Sequence, residues 1–176
     1  MVRKLWSGLI LATLLVAGCD RGSHPKHIDT VAPNFTVSDN VQTVELSKYR
    51  GHTVILNFWA TWCPPCIMEL PSLIQLHQMM PDIVIIAISQ DEDENVYRQF
   101  LKQHHIDFLT VRDPTARVDR LYGTLQIPES YVIDKNGVLR RKFVSAQDWT
   151  TPEITSYLKD IDSTSARPTS VSSAAR

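Results

Sequence analysis

The sequence has few cysteines and no marked excess of charge of either sign. Its 176 residues include three Cys, and 18 Lys and Arg nearly balance 19 Asp and Glu, giving a formal net charge of −1. A nearly neutral chain offers no basic field that would attract nucleic acid. No internal repeat is visible, and the hydrophobic content of 43% is ordinary for a globular protein. These observations predict one globular domain and no nucleic-acid partner.

The sequence also lacks an apolar run long enough to cross a membrane at its N-terminus. The run Leu5–Ala17 has 13 residues, well short of the ~20 that a spanning helix requires. Arg3 and Lys4 precede it, and small residues follow it. This is the arrangement of a cleaved signal peptide, with an uncleaved signal anchor as the alternative.

The end of that segment carries a more specific signal. The stretch Val16–Cys19 resembles a bacterial lipobox, which implies removal of residues 1–18 and lipid modification of Cys19. Asp20 resembles the signal that retains enteric-type lipoproteins in the inner membrane. The resemblance therefore implies a lipid anchor on the periplasmic side of the inner (cytoplasmic) membrane, with the polar residues 19–30 as a tether.

Beyond the tether, apolar residues predict alternating strands and helices over residues 31–161. Thr53–Trp59 and Ile83–Ser89 are nearly continuous apolar runs, which are typical of strands buried on both faces. Such alternation predicts an α/β fold whose sheet has a parallel core and helices on both faces. Residues 162–176 are rich in Ser, Thr and Ala and predict a disordered tail. The other predicted elements are a hairpin over 32–46, a helical turn over 47–51, helices over 64–79, 91–104, 115–122 and 151–161, and strands over 108–111, 130–134 and 138–144.

The candidate chemistry lies where the first buried strand meets the first helix. Cys63 and Cys66 are spaced C-x-x-C, with Cys63 at the predicted start of that helix. Free backbone N–H groups and the positive end of the helix dipole favour the thiolate of a cysteine in this position. Pro64 suits the first helical position because it has no N–H to leave unpaired. The motif therefore predicts a reactive thiol at Cys63.

Three other roles compete for the cysteine pair, namely a structural disulfide, a zinc site and a peroxidase, and the sequence speaks against each. A structural disulfide closing so short a loop would stabilise the fold by only ~2 kcal/mol. A zinc site needs four ligands, and the sequence has no second C-x-x-C and no H-x₃₋₅-H. A peroxiredoxin has Thr three residues before its reactive Cys, where this chain has Ala60. We predict no metal site and no cofactor.

From about residue 32 to 161 the chain resembles the TlpA/ResA-like branch of the thioredoxin superfamily. These proteins are membrane-tethered, extracytoplasmic thiol–disulfide oxidoreductases. Trp62–Cys66 matches the W-C-x-x-C of this branch, and Ile127-Pro128 matches the cis-proline element beside the dithiol. The segment 83–104 resembles the strand–helix insertion of the branch. The resemblance implies a thioredoxin-like fold with a central mixed β-sheet flanked by helices, an N-terminal β-hairpin and an inserted strand–helix unit.

The resemblance also implies a role for each site residue. Cys63 would attack a client disulfide and Cys66 would resolve the product, so the two form a redox-active disulfide. Thioredoxins carry a buried Asp six residues before the first Cys, where this chain has Asn57. Glu69 would instead accept the proton of Cys66, since it follows one helical turn later; the alternative is an exposed carboxylate with no role. Substrate contacts would come from Trp62, Ile127 and Pro128.

The implied partners follow from this chemistry. Clients would be proteins with disulfides, among them apocytochrome c before haem attachment. A membrane electron donor of the DsbD/CcdA type would restore the reduced form. Two alternatives remain, an oxidase that donates disulfides and a thiol-based metal (copper) carrier that is not an enzyme.

Overall fold

The computed structural model describes residues 28–164. Their elements follow the predicted chain order, from hairpin through alternating strands and helices to a second hairpin and a last helix. The elements are β1 (Thr36–Ser38), β2 (Thr43–Glu45), a 3₁₀ helix (Leu46–Tyr49), β3 (Val54–Trp59), α1 (Pro64–Met79), β4 (Val84–Ser89), α2 (Glu94–Gln103), β5 (Leu109–Arg112), α3 (Arg117–Tyr122), β6 (Glu129–Ile133), β7 (Leu139–Val144) and α4 (Pro152–Thr164).

A five-stranded mixed sheet forms the centre, in the order β5-β4-β3-β6-β7. Strands β3, β4 and β5 run parallel to one another, whereas β6 is antiparallel to β3 and β7 is antiparallel to β6. The β1–β2 hairpin forms a separate antiparallel ribbon. All six residues of β3 are buried, because the strand lies in the middle of the sheet with packed layers on both faces. The α/β class and the mixed thioredoxin-like sheet are confirmed.

Two apolar layers cover the sheet. On one face, α1, α2 and α4 contribute buried side chains such as Leu73, Tyr97 and Leu158. On the other face, the β1–β2 hairpin and α3 contribute side chains such as Val44 and Tyr122. This packing fixes α1, which begins at the end of β3, against the first face of the sheet.

Several helix boundaries differ from the prediction, and two of these differences, in α4 and α2, have identifiable reasons. Helix α4 continues to Thr164, beyond the predicted end at residue 161, and its residue Asp162 accepts a hydrogen bond from Thr53 Oγ1 (2.8 Å) and pairs with Lys135 (3.0 Å). These tertiary contacts extend the helix into the segment predicted as a tail. Helix α2 begins only at Glu94, because the Asp93 side chain caps its first free N–H groups.

Several predictions concern residues that the structure does not describe. The signal peptide, Cys19 and most of the tether lie before residue 28, and most of the predicted tail lies after residue 164. Among the helices of residues 28–164, none has the length and apolar character needed to cross a membrane.

Candidate active site

The dithiol lies at the junction of β3 and α1. Cys63 is the N-cap of α1, its Sγ accepts a hydrogen bond from the backbone N–H of Cys66 (3.3 Å), and Pro64 occupies the first helical position. Cys63 and Cys66 form a disulfide with a Cα–Cα distance of 5.3 Å. The first sulfur is therefore held among the free N–H groups of a helix start, as the sequence predicted.

A cis-proline loop faces this disulfide. The Ile127–Pro128 peptide bond is cis, and the carbonyl oxygen of Ile127 lies 3.7 Å from the Sγ of Cys63. Strand β6 starts directly afterwards and pairs Glu129 with Phe58 of β3. Because β3 also leads into the C-x-x-C motif, the sheet itself brings the proline and the dithiol together. This juxtaposition agrees with the one implied by the family resemblance.

Glu69 lies on the buried face of α1, with only 3% of its surface exposed. Its carboxylate accepts hydrogen bonds from Asn57 Nδ2 (2.8 Å), the backbone N–H of Gln147 (3.1 Å) and Trp149 Nε1 (3.4 Å). Burial raises the pKa of Glu69 above its usual 4.5, although these three donors act in the opposite direction. The alternative of an exposed helix carboxylate is therefore wrong.

Glu69 and Cys66 line the same small cavity. Its volume is about 10 Å³, and the other residues that line it are Asn57, Trp59, Leu70, Leu73, Ala87 and Phe108. This is close to the space that one water molecule needs. Cys66 and Glu69 thus share one enclosed space of about the size of a water molecule.

The two sulfurs differ in surroundings more than in exposure. Cys63 and Cys66 expose 4% and 3% of their surface in the disulfide form, so burial alone does not separate their roles. Cys63 contacts the cis-proline loop, and its neighbour Trp62 is 62% exposed. Cys66 lies inside α1 and faces the cavity that it shares with Glu69. Cys63 therefore adjoins the cis-proline loop and the exposed Trp62, whereas Cys66 adjoins Glu69.

Sequence reasoning missed part of this site. Gln147 and Trp149, both of which bind Glu69, lie in the loop between β7 and α4 and belong to no motif. Asn57 was identified only as a residue unable to take a proton, whereas its amide donates to both Glu69 and Ser130 (2.9 Å). One signal in the sequence could have indicated this role: Asn57 occupies the position at which thioredoxins have a buried Asp.

Within residues 28–164, no group of three or more His, Cys, Asp or Glu side chains is arranged to hold a metal ion. Ala60 is fully buried and provides no hydroxyl group. The nearest hydroxyl in sequence, on Thr61, donates to Asp91 (2.5 Å).

A C-x-x-C disulfide at a helix start, facing a cis-proline in this mixed sheet, defines a thiol–disulfide oxidoreductase of thioredoxin fold. The family model of the AhpC/TSA family matches residues 28–142. The ResA thiol–disulfide oxidoreductase of Bacillus thuringiensis subsp. konkukian is 35% identical over 133 residues, which cover 74% of this chain and 76% of that protein. The chain therefore belongs to the AhpC/TSA family and to the ResA-like thiol–disulfide oxidoreductases.

Solved structures agree with this assignment. One described as the thiol:disulfide interchange protein DsbE from Chlorobium tepidum is 28% identical, with a TM-score of 0.66, and the match covers 78% of this chain and 96% of that one. The exposed lipoprotein thioredoxin of Streptococcus pneumoniae is 25% identical, with a TM-score of 0.63 and coverage of 73% and 99%.

Proposed function

We propose that this oxidoreductase is a membrane-anchored, extracytoplasmic reductase of disulfides in client proteins. The observation that carries the proposal is a buried carboxylate, Glu69, on the cavity lined by Cys66. The partners of that carboxylate are neutral donors, so its negative charge opposes a thiolate at Cys66. A dithiol in which the Cys66 thiolate is poorly stabilised favours the disulfide and gives up its electrons readily, unlike the stabilised reduced form of a strong oxidant.

The reaction is a two-step exchange. The Cys63 thiolate attacks one sulfur of a client disulfide, forms a mixed disulfide and releases the other client sulfur as a thiolate. Cys66 then transfers its proton to Glu69 and attacks the Cys63 sulfur. The Cys63–Cys66 disulfide forms, and the client leaves with both of its sulfurs reduced. Two electrons pass to the client.

Three residues around Cys63 would receive the client. Trp62 offers a large exposed ring beside the sulfur. Ile127 presents its carbonyl group 3.7 Å from the Cys63 sulfur, and Pro128 cannot donate a competing backbone hydrogen bond. An extended client segment would thus lie against Ile127 and Pro128 with its disulfide over Cys63. We assign substrate contact to these three residues.

The anchor and the partners extend the proposal beyond the described residues. Cys19 would carry the lipid and hold the domain on the periplasmic side of the inner membrane. The match to a lipoprotein thioredoxin of Streptococcus pneumoniae supports a lipid anchor. A membrane electron donor of the DsbD/CcdA type would return electrons to the dithiol, and apocytochrome c is a candidate client, as the ResA-like resemblance implies.

The direction of electron flow can be tested in cells. If the protein is a reductase with a membrane electron donor, most of it should carry free Cys63 and Cys66 thiols at steady state. Acid quenching followed by alkylation with a mass-tagged maleimide measures this fraction. Loss of the membrane electron donor should convert most of the protein to the Cys63–Cys66 disulfide form. If most of the protein already carries the Cys63–Cys66 disulfide while the electron donor is present, the result would support the oxidase alternative.

Replacement of Cys19 tests the anchor. Cys19→Ser removes the sulfur that would receive lipid, so the variant should appear in the soluble periplasmic fraction or remain an uncleaved precursor. Immunoblots of separated membrane and soluble fractions measure this change. The purified variant should keep the activity of its parent, because Cys19 is not one of the residues that form the dithiol site. Processing and membrane retention equal to those of the unchanged protein would contradict lipid anchoring.

A further inference from the structure

A second buried carboxylate, unused in the exchange reaction, binds the turn before Cys63. Asp91 is the second residue after the end of β4 and is 2% exposed. Its carboxylate accepts hydrogen bonds from the backbone N–H of Thr61 (3.0 Å), from Thr61 Oγ1 (2.5 Å) and from Ser89 Oγ (2.5 Å). Thr61 lies two residues before the attacking sulfur.

Residues at the end of β4 and just after it contact this turn at successive positions. Trp59 and Ser89 are register partners in the sheet, and the backbone N–H of Gln90 donates to the carbonyl of Trp59 (3.0 Å). Asp91 binds the next part of the turn through Thr61. The turn then closes through the Cys63 N–H, which donates to the carbonyl of Ala60 (3.2 Å). The position of Cys63 thus depends on contacts from β4 as well as on α1.

We propose that Asp91 is a positioning residue for the attacking thiol, fixing the Ala60–Trp62 turn and placing a negative charge close to Cys63. The proposal rests on the role of Cys63 in the proposed function. The fixed turn presents Cys63 to the client in one geometry, which favours attack. The nearby charge disfavours the thiolate and acts in the same direction as Glu69, toward a reducing dithiol.

Among the described residues, no cation pairs with the Asp91 carboxylate itself. Glu92 and Asp93 are exposed acids on the same loop. Arg112, on β5, directs its guanidinium to the backbone carbonyls of Asp91 and Glu92 and pairs with Glu94 (3.1 Å). Each hydrogen bond to the Asp91 carboxylate comes from a neutral group.

Asp134 provides a matched control in the same chain. It is equally buried, at 2% exposure, and accepts hydrogen bonds from the backbone N–H groups of Asn136 and Val138 (both 2.9 Å). Unlike Asp91, it also pairs with Arg140 (2.8 Å). It follows β6, whose opposite end adjoins Pro128, so it lies at the far end of the sheet from the dithiol.

The experiment compares Asp91→Asn with Asp134→Asn in the reduced protein. Asp91→Asn should lower the pH midpoint of Cys63 alkylation by about half a unit or more, since it removes a nearby negative charge. It should also slow exchange with a disulfide peptide severalfold because the turn loosens. Asp134→Asn should lower the melting temperature and leave the alkylation midpoint unchanged. Equal midpoints in all three proteins would overturn the proposal.

Variants of Thr61 test the positioning role of Asp91 separately from the effect of its charge. They also give a result if Asp91→Asn fails to fold. Thr61→Val removes the hydroxyl and keeps the carboxylate, so it should slow exchange severalfold without lowering the alkylation midpoint; Thr61→Ser should restore the rate. Exchange by Thr61→Val as fast as that of the parent protein would overturn the positioning role. The alkylation midpoint needs no client, so it still tests Asp91 if the parent protein fails to reduce client proteins.

Discussion

Cys66→Ala is expected to trap the protein in mixed disulfides with its clients. The variant keeps Cys63 at the start of α1, beside the cis-proline loop, so the first attack can proceed. It lacks the sulfur that would displace the client, and the adduct should accumulate from near zero to a large share of the protein. Non-reducing gel electrophoresis, with and without a reductant, measures these adducts.

Cys63→Ala is the matched control for this experiment. It keeps the Cys66 thiol, but that sulfur lies inside α1 and faces the cavity that it shares with Glu69. A client disulfide should not reach it, so few or no adducts should form. Both variants should lose turnover with a disulfide substrate. Similar trapping by the two variants would contradict the roles of attacking and resolving thiol.

Glu69→Gln should leave the protein able to form its disulfide but slow the resolution of mixed disulfides. The amide cannot accept the proton of Cys66, and loss of a general base typically costs at least ~10²-fold in rate. The loss should be largest between the raised pKa of Glu69 and the pKa of a free thiol, ~8.5. Below that interval Glu69 is already protonated in the parent protein, and above it Cys66 ionises unaided. Stopped-flow measurement of mixed-disulfide decay from pH 5 to 9 gives the profile.

A surface glutamate provides the control for that variant. Glu153 on α4 is exposed and pairs only loosely with Arg141 (3.3 Å). Glu153→Gln should therefore match the parent protein across the whole pH range. Superimposable profiles for Glu69→Gln and the parent would remove Glu69 from the mechanism and leave solvent as the proton acceptor.

The raised pKa of Glu69 also predicts a change in stability with pH. A carboxyl group whose pKa is higher in the folded than in the unfolded protein binds its proton more tightly when folded. Its contribution to stability is complete below about pH 4.5, the usual pKa of the group. It is lost as the pH rises through the raised pKa of Glu69 in the folded protein. The parent protein should therefore lose stability relative to Glu69→Gln over that interval. Urea denaturation at several pH values measures the difference.

Local patterns were sufficient to predict the α/β class and the helix start at the dithiol, whereas the thioredoxin-like fold was implied by the family resemblance. The apolar run of β3 predicted a strand buried on both faces, and all six of its residues are buried. The C-x-x-C motif next to Pro64 predicted a helix start, and α1 begins at Pro64. Both signals lie within a few residues of the feature that they predict, so no knowledge of tertiary contacts was needed.

The surroundings of Glu69 and Asp91 could not be predicted in this way. Trp149 binds Glu69 across 80 residues of sequence, and Thr61 binds Asp91 across 30. Such pairs depend on how loops meet at the edge of the sheet, which periodicity does not report. The end of α4 was missed for the same reason, since Asp162 is held by Thr53 and Lys135 from other parts of the chain.

The reduction potential of the Cys63–Cys66 couple tests the proposed reductase most directly. It can be measured by equilibrating the purified domain with glutathione or dithiothreitol buffers and quantifying the alkylated thiols. Because Glu69 and Asp91 place negative charge near the two thiols, we expect a value near the ~−270 mV of thioredoxin, or lower. A value near the ~−120 mV of DsbA would show that the thiolates are stabilised and that the protein donates disulfides.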